Sequence, residues 1–209
     1  MALLPLASVR AAILFTYDFP GPSSVNYLAT NQTTNPQPAN GTFGDFNRVG
    51  LMPTDSNVLG SKGWTAGTSI DLAQYEGFTI TAAAFYVLNL TEISFVIDNA
   101  SDGPLNFQIM LYLNGSGTPF ESSAIYNTAG TAQTITWDFT DVVVADVATT
   151  AEFRFYGWDT ASNGSHLTLD NVATSGSIVV PEPSNVWVGL VGLIFAAGAT
   201  LGERRRRRK

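Results

Sequence analysis

The chain has 209 residues, no cysteine and one histidine, and 45% of it is hydrophobic against 13% charged. These counts exclude a disulfide framework, thiolate metal sites, thiol nucleophiles and any centre built on two histidines, and they place the chain among globular proteins. The formal charge of −7 is unevenly spread: residues 1–202 hold sixteen acids against four bases, whereas the last seven residues hold six bases and Glu203. An acidic body repels phosphate backbones, which argues against nucleic acid as a partner.

Residues 2–9 read as the end of an apolar leader, and Val9-Arg10-Ala11 offers a small-x-small cleavage site, although no basic segment precedes it. Residues 1–12 are therefore expected to be the remnant of a cleaved signal peptide; the competing reading is a first strand starting near Met1. The body, residues 13–180, carries short β-branched and aromatic runs at Ile13–Phe19, Phe78–Ala82, Glu92–Asp98, Asn106–Leu113, Ile125–Tyr126, Thr134–Phe139, Glu152–Gly157, His166–Val172 and Ser177–Val180. Apolar and polar residues alternate in Ile93–Ile97 and His166–Asp170, so each strand has one face for a core and one for solvent. Clusters such as Asn114-Gly115-Ser116-Gly117 punctuate the runs as turns. Asp141–Thr150 is the best helical candidate, but its valines are poor helix formers. Residues 20–75 are less regular, and no internal repeat is present. The pattern predicts an all-β fold, an antiparallel sandwich of the jelly-roll kind.

Catalytic constellations are scarce. His166 shares a strand face with Thr168 and Asp170, yet a lone histidine at a strand start reads as a solvated loop edge. The expectation is a protein that is not an enzyme, with a secreted glycoside hydrolase kept as the least favoured reading because two carboxylates suffice for that chemistry. Sugar binding uses exposed aromatic rings, for which Trp64, Tyr75, Trp137, Tyr156 and Trp158 are candidates. Trp158 is preferred because it follows Gly157 at a strand end. Arg154 lies on the opposite strand face from Phe153 and Phe155, in position to pair with a neighbouring carboxylate.

The tail is organised in three parts. Pro181-Glu182-Pro183 makes a stiff extended peptide, since proline pins φ and extends the residue before it. Val186–Gly202 is free of charge, and as a helix it would span roughly 25 Å, close to a hydrocarbon core. Arg204, Arg205, Arg206, Arg207 and Arg208 then fix the orientation of such a transmembrane helix, with the arginines in the cytoplasm and the body outside.

Proline motif, apolar span and arginine block in this order resemble the PEP-CTERM sorting signal of exported bacterial proteins. The resemblance covers about the last thirty residues and implies that residues 181–209 are read by an exosortase in the inner membrane. That enzyme would cut near the proline motif and release the protein to the cell surface or the extracellular matrix. The role so implied is structural or adhesive, with exopolysaccharide as a partner; a carbohydrate-binding module is the alternative. A second resemblance, over Phe153–Trp158 and Leu167–Val172, is to the jelly-roll ectodomains common in such proteins. It implies that first and last strands lie side by side and that a structural calcium ion sits at Asp18, Asp170 and Asn171.

Overall fold

Alternation of apolar and polar side chains resolves into thirteen strands among the described residues. The computed structural model describes residues 12–19, 37–54, 59–99, 103–128, 132–139, 149–161 and 166–180. The chain divides into Met1–Val179 and Val180–Lys209, and all thirteen strands belong to the first unit. The leader before Ala12, most of Asp141–Thr150, the motif Pro181-Glu182-Pro183, the apolar run and Arg204–Arg208 lie outside the described residues. Among the described residues no helix is long and apolar enough to cross a membrane.

The strands are β1 (Ala12–Tyr17), β2 (Gly41–Phe43), β3 (Asn47–Val49), β4 (Met52–Pro53), β5 (Leu59–Lys62), β6 (Tyr75–Ala82), β7 (Val87–Asn99), β8 (Asn106–Leu113), β9 (Glu121–Ser122), β10 (Tyr126–Asn127), β11 (Gln133–Asp138), β12 (Thr150–Trp158) and β13 (His166–Val179). The first sheet runs β11-β7-β13-β5-β4, with β1 also on β13; the second runs β10-β8-β12-β6-β2, with β3 on β6 and β9 on β8. From β5 onward the chain changes sheet at each step except along β8, β9 and β10. The result is β5-β13-β7-β11 against β6-β12-β8-β10, the double Greek key of a jelly roll. The expected all-β antiparallel sandwich is thus present, and β1 lies beside β13 as the sandwich reading implied.

Differences from the sequence reading have local causes. The two runs expected at His166–Val172 and Ser177–Val180 form one strand, interrupted by register shifts between Asp170 and Ala173 and between Ser175 and Gly176. Gly176 has a φ of 151°, and a Cβ there would run into the carbonyl of Asn89. Strands β2 to β5 are two to four residues long, too short to display a period of two.

The core is aromatic. Phe15 stacks on Phe43 at 4.7 Å, Tyr17 meets Phe46 edge-on at 5.2 Å, and Phe155 meets Phe95 edge-on at 5.4 Å. Each buried ring contributes about 1.5–3 kcal/mol by leaving water, and the ring–ring geometry adds to it. The Tyr17 hydroxyl donates to the carbonyl of Gly44, so the one polar end of this cluster is satisfied.

One polar cluster is enclosed between the sheets. Glu76 of β6 faces inward and accepts a hydrogen bond from Ser61 of β5. Arg48 of β3 donates from Nε to Ser61 Oγ at 2.7 Å and from Nη2 to the carbonyl of Gly60 at 3.0 Å, and its Nε lies 3.9 Å from Glu76 Oε1. Trp64 donates its indole N–H to the carbonyl of Ser61 at 3.0 Å. Glu76 Oε2 is buried and makes no hydrogen bond. Burial outweighs the Ser61 hydrogen bond and the Arg48 charge, and pushes the carboxyl up to about 7.

Candidate functional site

Strand alternation along β12 turns Ala151, Phe153 and Phe155 into the core and sends Glu152, Arg154 and Tyr156 to the outer face of the second sheet. Antiparallel pairing then sets their neighbours. On the β8 side, Glu152 is opposite Tyr112, Arg154 opposite Met110 and Tyr156 opposite Gln108. On the β6 side, Glu152 is opposite Thr79 and Arg154 opposite Gly77. Gly77 is glycine for a packing reason, since a Cβ there would run into the carbonyl of Phe153.

Arg154 is the centre of this face. Its guanidinium carbon lies 4.7 Å from the ring centroid of Tyr75 and 4.2 Å from that of Tyr112, so the cation is held between two rings. Glu152 receives both arms of the fork, from Nε and from Nη2, each at 2.7 Å. The hydrogen bonds to Glu152 come first among the causes that hold the guanidinium still more firmly protonated. The hydroxyls of Tyr112 and Tyr156 meet at 3.2 Å, and Tyr75 lies 5.7 Å from Tyr156 at a tilt of 48°. Burial, followed by the Tyr112 hydrogen bond, pushes the Tyr156 phenol up; burial also pushes up Tyr75. The Arg154 and Glu152 side chains remain 23% and 27% exposed.

Beside this stack lies a band of small neutral hydrogen-bonding groups. Thr79 and Thr81 on β6, Thr42 on β2 and Asn47 on β3 are all exposed, and pairing places Thr42 opposite Thr81 and Asn47 opposite Gly77. The face therefore offers a half-buried Tyr75 ring and the edge of the Arg154 guanidinium, backed by the buried Tyr112 and Tyr156, with hydroxyls and an amide at its side. The fork of Arg154 is occupied by Glu152, so the pair is near neutral and spatially fixed. That arrangement suits a neutral polyhydroxylated ligand and leaves no unengaged carboxylate on the pair for acid–base work.

The residues expected from sequence fall in several places. Trp158 is 5% exposed, which corrects its choice as an open stacking ring. It is covered because Thr65 bridges to it and Asp159 donates to the carbonyl of Gly67, folding the segment after Trp64 over the strand end. Trp64 and Trp137 belong to the core. Tyr75 and Tyr156 lie on the outer side of the second sheet, but only Tyr75 keeps an accessible ring; Tyr156 is buried, which corrects it as an open stacking ring too, and so is Tyr112. Tyr112 and Glu152 complete the site and are not among the sequence candidates. The signal for Glu152 is present in the sequence as the same-face spacing Glu152-x-Arg154-x-Tyr156. Tyr112 needs the register of β8 against β12 to be found.

Asp18, Asp170 and Asn171 are brought together as the pairing of Tyr17 with Val172 requires. The Asp170 carboxyl is pushed up by burial and further by the charge of Asp18, against the pull of the Asn171 backbone N–H. Asn171, at a φ of 50°, donates its backbone N–H to Asp170 Oδ1 at 2.8 Å and its amide to Oδ2 at 2.9 Å. Its amide is thus turned to Asp170. Calcium takes six to eight oxygens, and among the described residues no group of three or more Asp, Glu, His or Cys side chains gathers. These side chains alone fall short of that donor set. His166 is exposed at the start of β13.

No family model and no curated protein sequence matches the chain. Among solved structures, it is similar to a family 29 carbohydrate-binding module at 14% identity and a TM-score of 0.44, covering 80% of this chain and 90% of that one. It is also similar to a xylan-binding domain from Paenibacillus barcinonensis at 10% identity and a TM-score of 0.43, covering 85% of this chain and 100% of that one. A family 29 carbohydrate-binding module from Piromyces equi gives 8% identity and a TM-score of 0.42, over 82% of this chain and 93% of that one. Likeness at this level carries no ligand over to this chain, whose function has to be argued from its own side chains.

Proposed function

We propose that the sandwich is a non-catalytic carbohydrate-binding domain whose ligand lies on the outer face of the second sheet. The observation that carries this reading is the Tyr75–Arg154–Tyr112 stack, fixed by the two-armed Glu152 contact and flanked by exposed threonines. A sugar ring presents an apolar C–H face to the accessible Tyr75 ring and a rim of hydroxyls to threonine, asparagine and guanidinium groups, while the buried Tyr112 and Tyr156 hold Arg154 in place from beneath. Each of these contacts is built here without a net charge. The test is a glycan array probed with the wild-type protein and with Tyr75→Ala and Arg154→Ala. Wild-type protein is expected to bind a subset of glycans, and each variant is expected to lose at least about tenfold in affinity, in the range of a removed hot-spot contact. A wild-type protein that binds no glycan overturns the reading.

A second reading concerns delivery, and the tail favours it. Pro181-Glu182-Pro183, the charge-free run Val186–Gly202 and Arg204–Arg208 support an exported protein, held in the inner membrane and processed by an exosortase. The glycan site and this route fit together, since a surface protein with such a face would adhere to exopolysaccharide. Mass spectrometry of the protein from its host is expected to show a chain ending near Pro183; a chain still carrying Arg204–Arg208 at the cell surface would defeat the sorting reading.

A further inference from the structure

The turn between β6 and β7 is built against the usual rules. It reads Ala83-Ala84-Phe85-Tyr86, closed by a hydrogen bond from the Tyr86 N–H to the carbonyl of Ala83 at 3.0 Å. Turns are ordinarily made of glycine, proline, asparagine, aspartate and serine; here every side chain but the Tyr86 hydroxyl is apolar. Phe85 occupies the third position with a φ of 70°, a place that glycine or asparagine fills at lower steric cost. Its side chain is 89% exposed. A bulky ring in a left-handed conformation and in water gains nothing for the fold.

The surroundings of this turn share its character. Val87 pairs with Val179, which places the exposed end of β13 beside it. The Ala83 N–H donates to the carbonyl of Asn40, the Ala82 N–H to that of Thr149, and Asn114 accepts from the Thr149 N–H at 3.0 Å. These bonds gather residues 37–43, 79–90, 113–118, 149–151 and 176–179 at one end of the sandwich. None of them carries a charged side chain, although residues 1–202 hold an excess of twelve negative charges. Among the described residues this end carries no charge and a phenylalanine stands at its tip, while Asp141 and Asp146 precede Thr149 in the stretch 140–148, outside the described residues. An uncharged end tipped by an exposed ring suits the interface of a lipid layer better than the acidic remainder does.

The chain also leaves the sandwich at this end. In sequence, only residues 180–185 separate Val179 from the apolar run at Val186. Seven extended peptide steps reach at most about 25 Å. If that run enters a bilayer, Val179 is held within that distance of the point of entry.

From these juxtaposed features we infer that the Phe85 end of the sandwich is a membrane-contacting surface, with Phe85 seated in the lipid–water interface while the tail is anchored. The inference rests on reading Val186–Gly202 as a membrane segment. It assigns a further role to a part of the protein remote in sequence from the tail.

The test uses the full chain, which has no native cysteine. Phe85→Cys, Val179→Cys and Leu72→Cys are each labelled with an environment-sensitive fluorophore; Leu72 is exposed just before β6, at the opposite end of that strand from the turn. Each is reconstituted into vesicles of phosphatidylcholine with phosphatidylglycerol, with and without brominated acyl chains. The expected result is a blue shift and severalfold brightening at positions 85 and 179, quenched by the brominated lipid, with no change at 72. Co-flotation with an unresponsive position 85, or with equal responses at 85 and 72, overturns the inference and leaves the membrane segment standing. A chain that does not float with the vesicles overturns both.

Discussion

Among the described residues two arginine–glutamate pairs stand out, and they are opposites. Arg154 and Glu152 sit on the outer face, 23% and 27% exposed, in two-armed contact and stacked between tyrosines. Arg48 and Glu76 are enclosed between the sheets, 4% and 0% exposed, with Nε and Oε1 3.9 Å apart and Ser61 between them. The outer pair has good geometry and remains partly open to water, so it gives the fold little, and its proposed value is to a ligand. The inner pair bears the full cost of desolvation, and its partners serve to limit that cost. The same two residue types thus make the centre of the proposed glycan site in one place and a clamp between sheets in the other.

The largest effect should come from breaking the inner pair on one side. Arg48→Met leaves Glu76 buried without a cation, and unfolding in urea at about pH 8, where the wild-type carboxyl is ionised, is expected to show a loss of about 3–5 kcal/mol. Combining it with Glu76→Leu removes the stranded carboxylate, and most of that loss should return. A double variant no more stable than Arg48→Met alone would show that Arg48 acts through packing.

A smaller effect follows from Glu76 alone. Its carboxyl is pushed up to about 7 in the folded chain from an ordinary 4.5. The folded state therefore holds a proton that the unfolded state has released between these values. Stability is greatest below about pH 4.5 with respect to this group, falls as pH rises through 7, and is level above it. The span is on the order of 3 kcal/mol. Glu76→Gln should flatten this part of the profile; an unchanged slope would assign it to other acids.

The outer pair is nearly legible without the fold, and the inner pair is not. Alternation along Phe153-Arg154-Phe155 already sets Arg154 outward and foretells a carboxylate partner, because same-face neighbours in a strand are two residues apart. The long strands β6, β7, β8, β12 and β13 are visible for the same reason. Glu76, Ser61 and Arg48 come from three strands, two of them only three or four residues long, and their meeting depends on how the two sheets stack. No local pattern encodes that. Trp158 misleads on related grounds: its position at a strand end is local, whereas the bridge from Thr65 that covers it spans more than ninety residues.

The sharpest separation of the two pairs is also the smallest effect on the fold. Glu152→Gln removes the negative half of the outer pair but keeps its shape, and an exposed pair of this kind contributes about 0–1 kcal/mol. Thermal unfolding should therefore barely move. The amide of this variant offers one carbonyl oxygen where the carboxylate offered two, so one arm of Arg154 is released and the guanidinium is no longer fixed between Tyr75 and Tyr112. If the stack recognises a glycan by being rigid, affinity should fall while stability holds. A variant that lost stability as severely as Arg48→Met would mean that the outer pair is a structural clamp as well, and the contrast between the two regions would disappear.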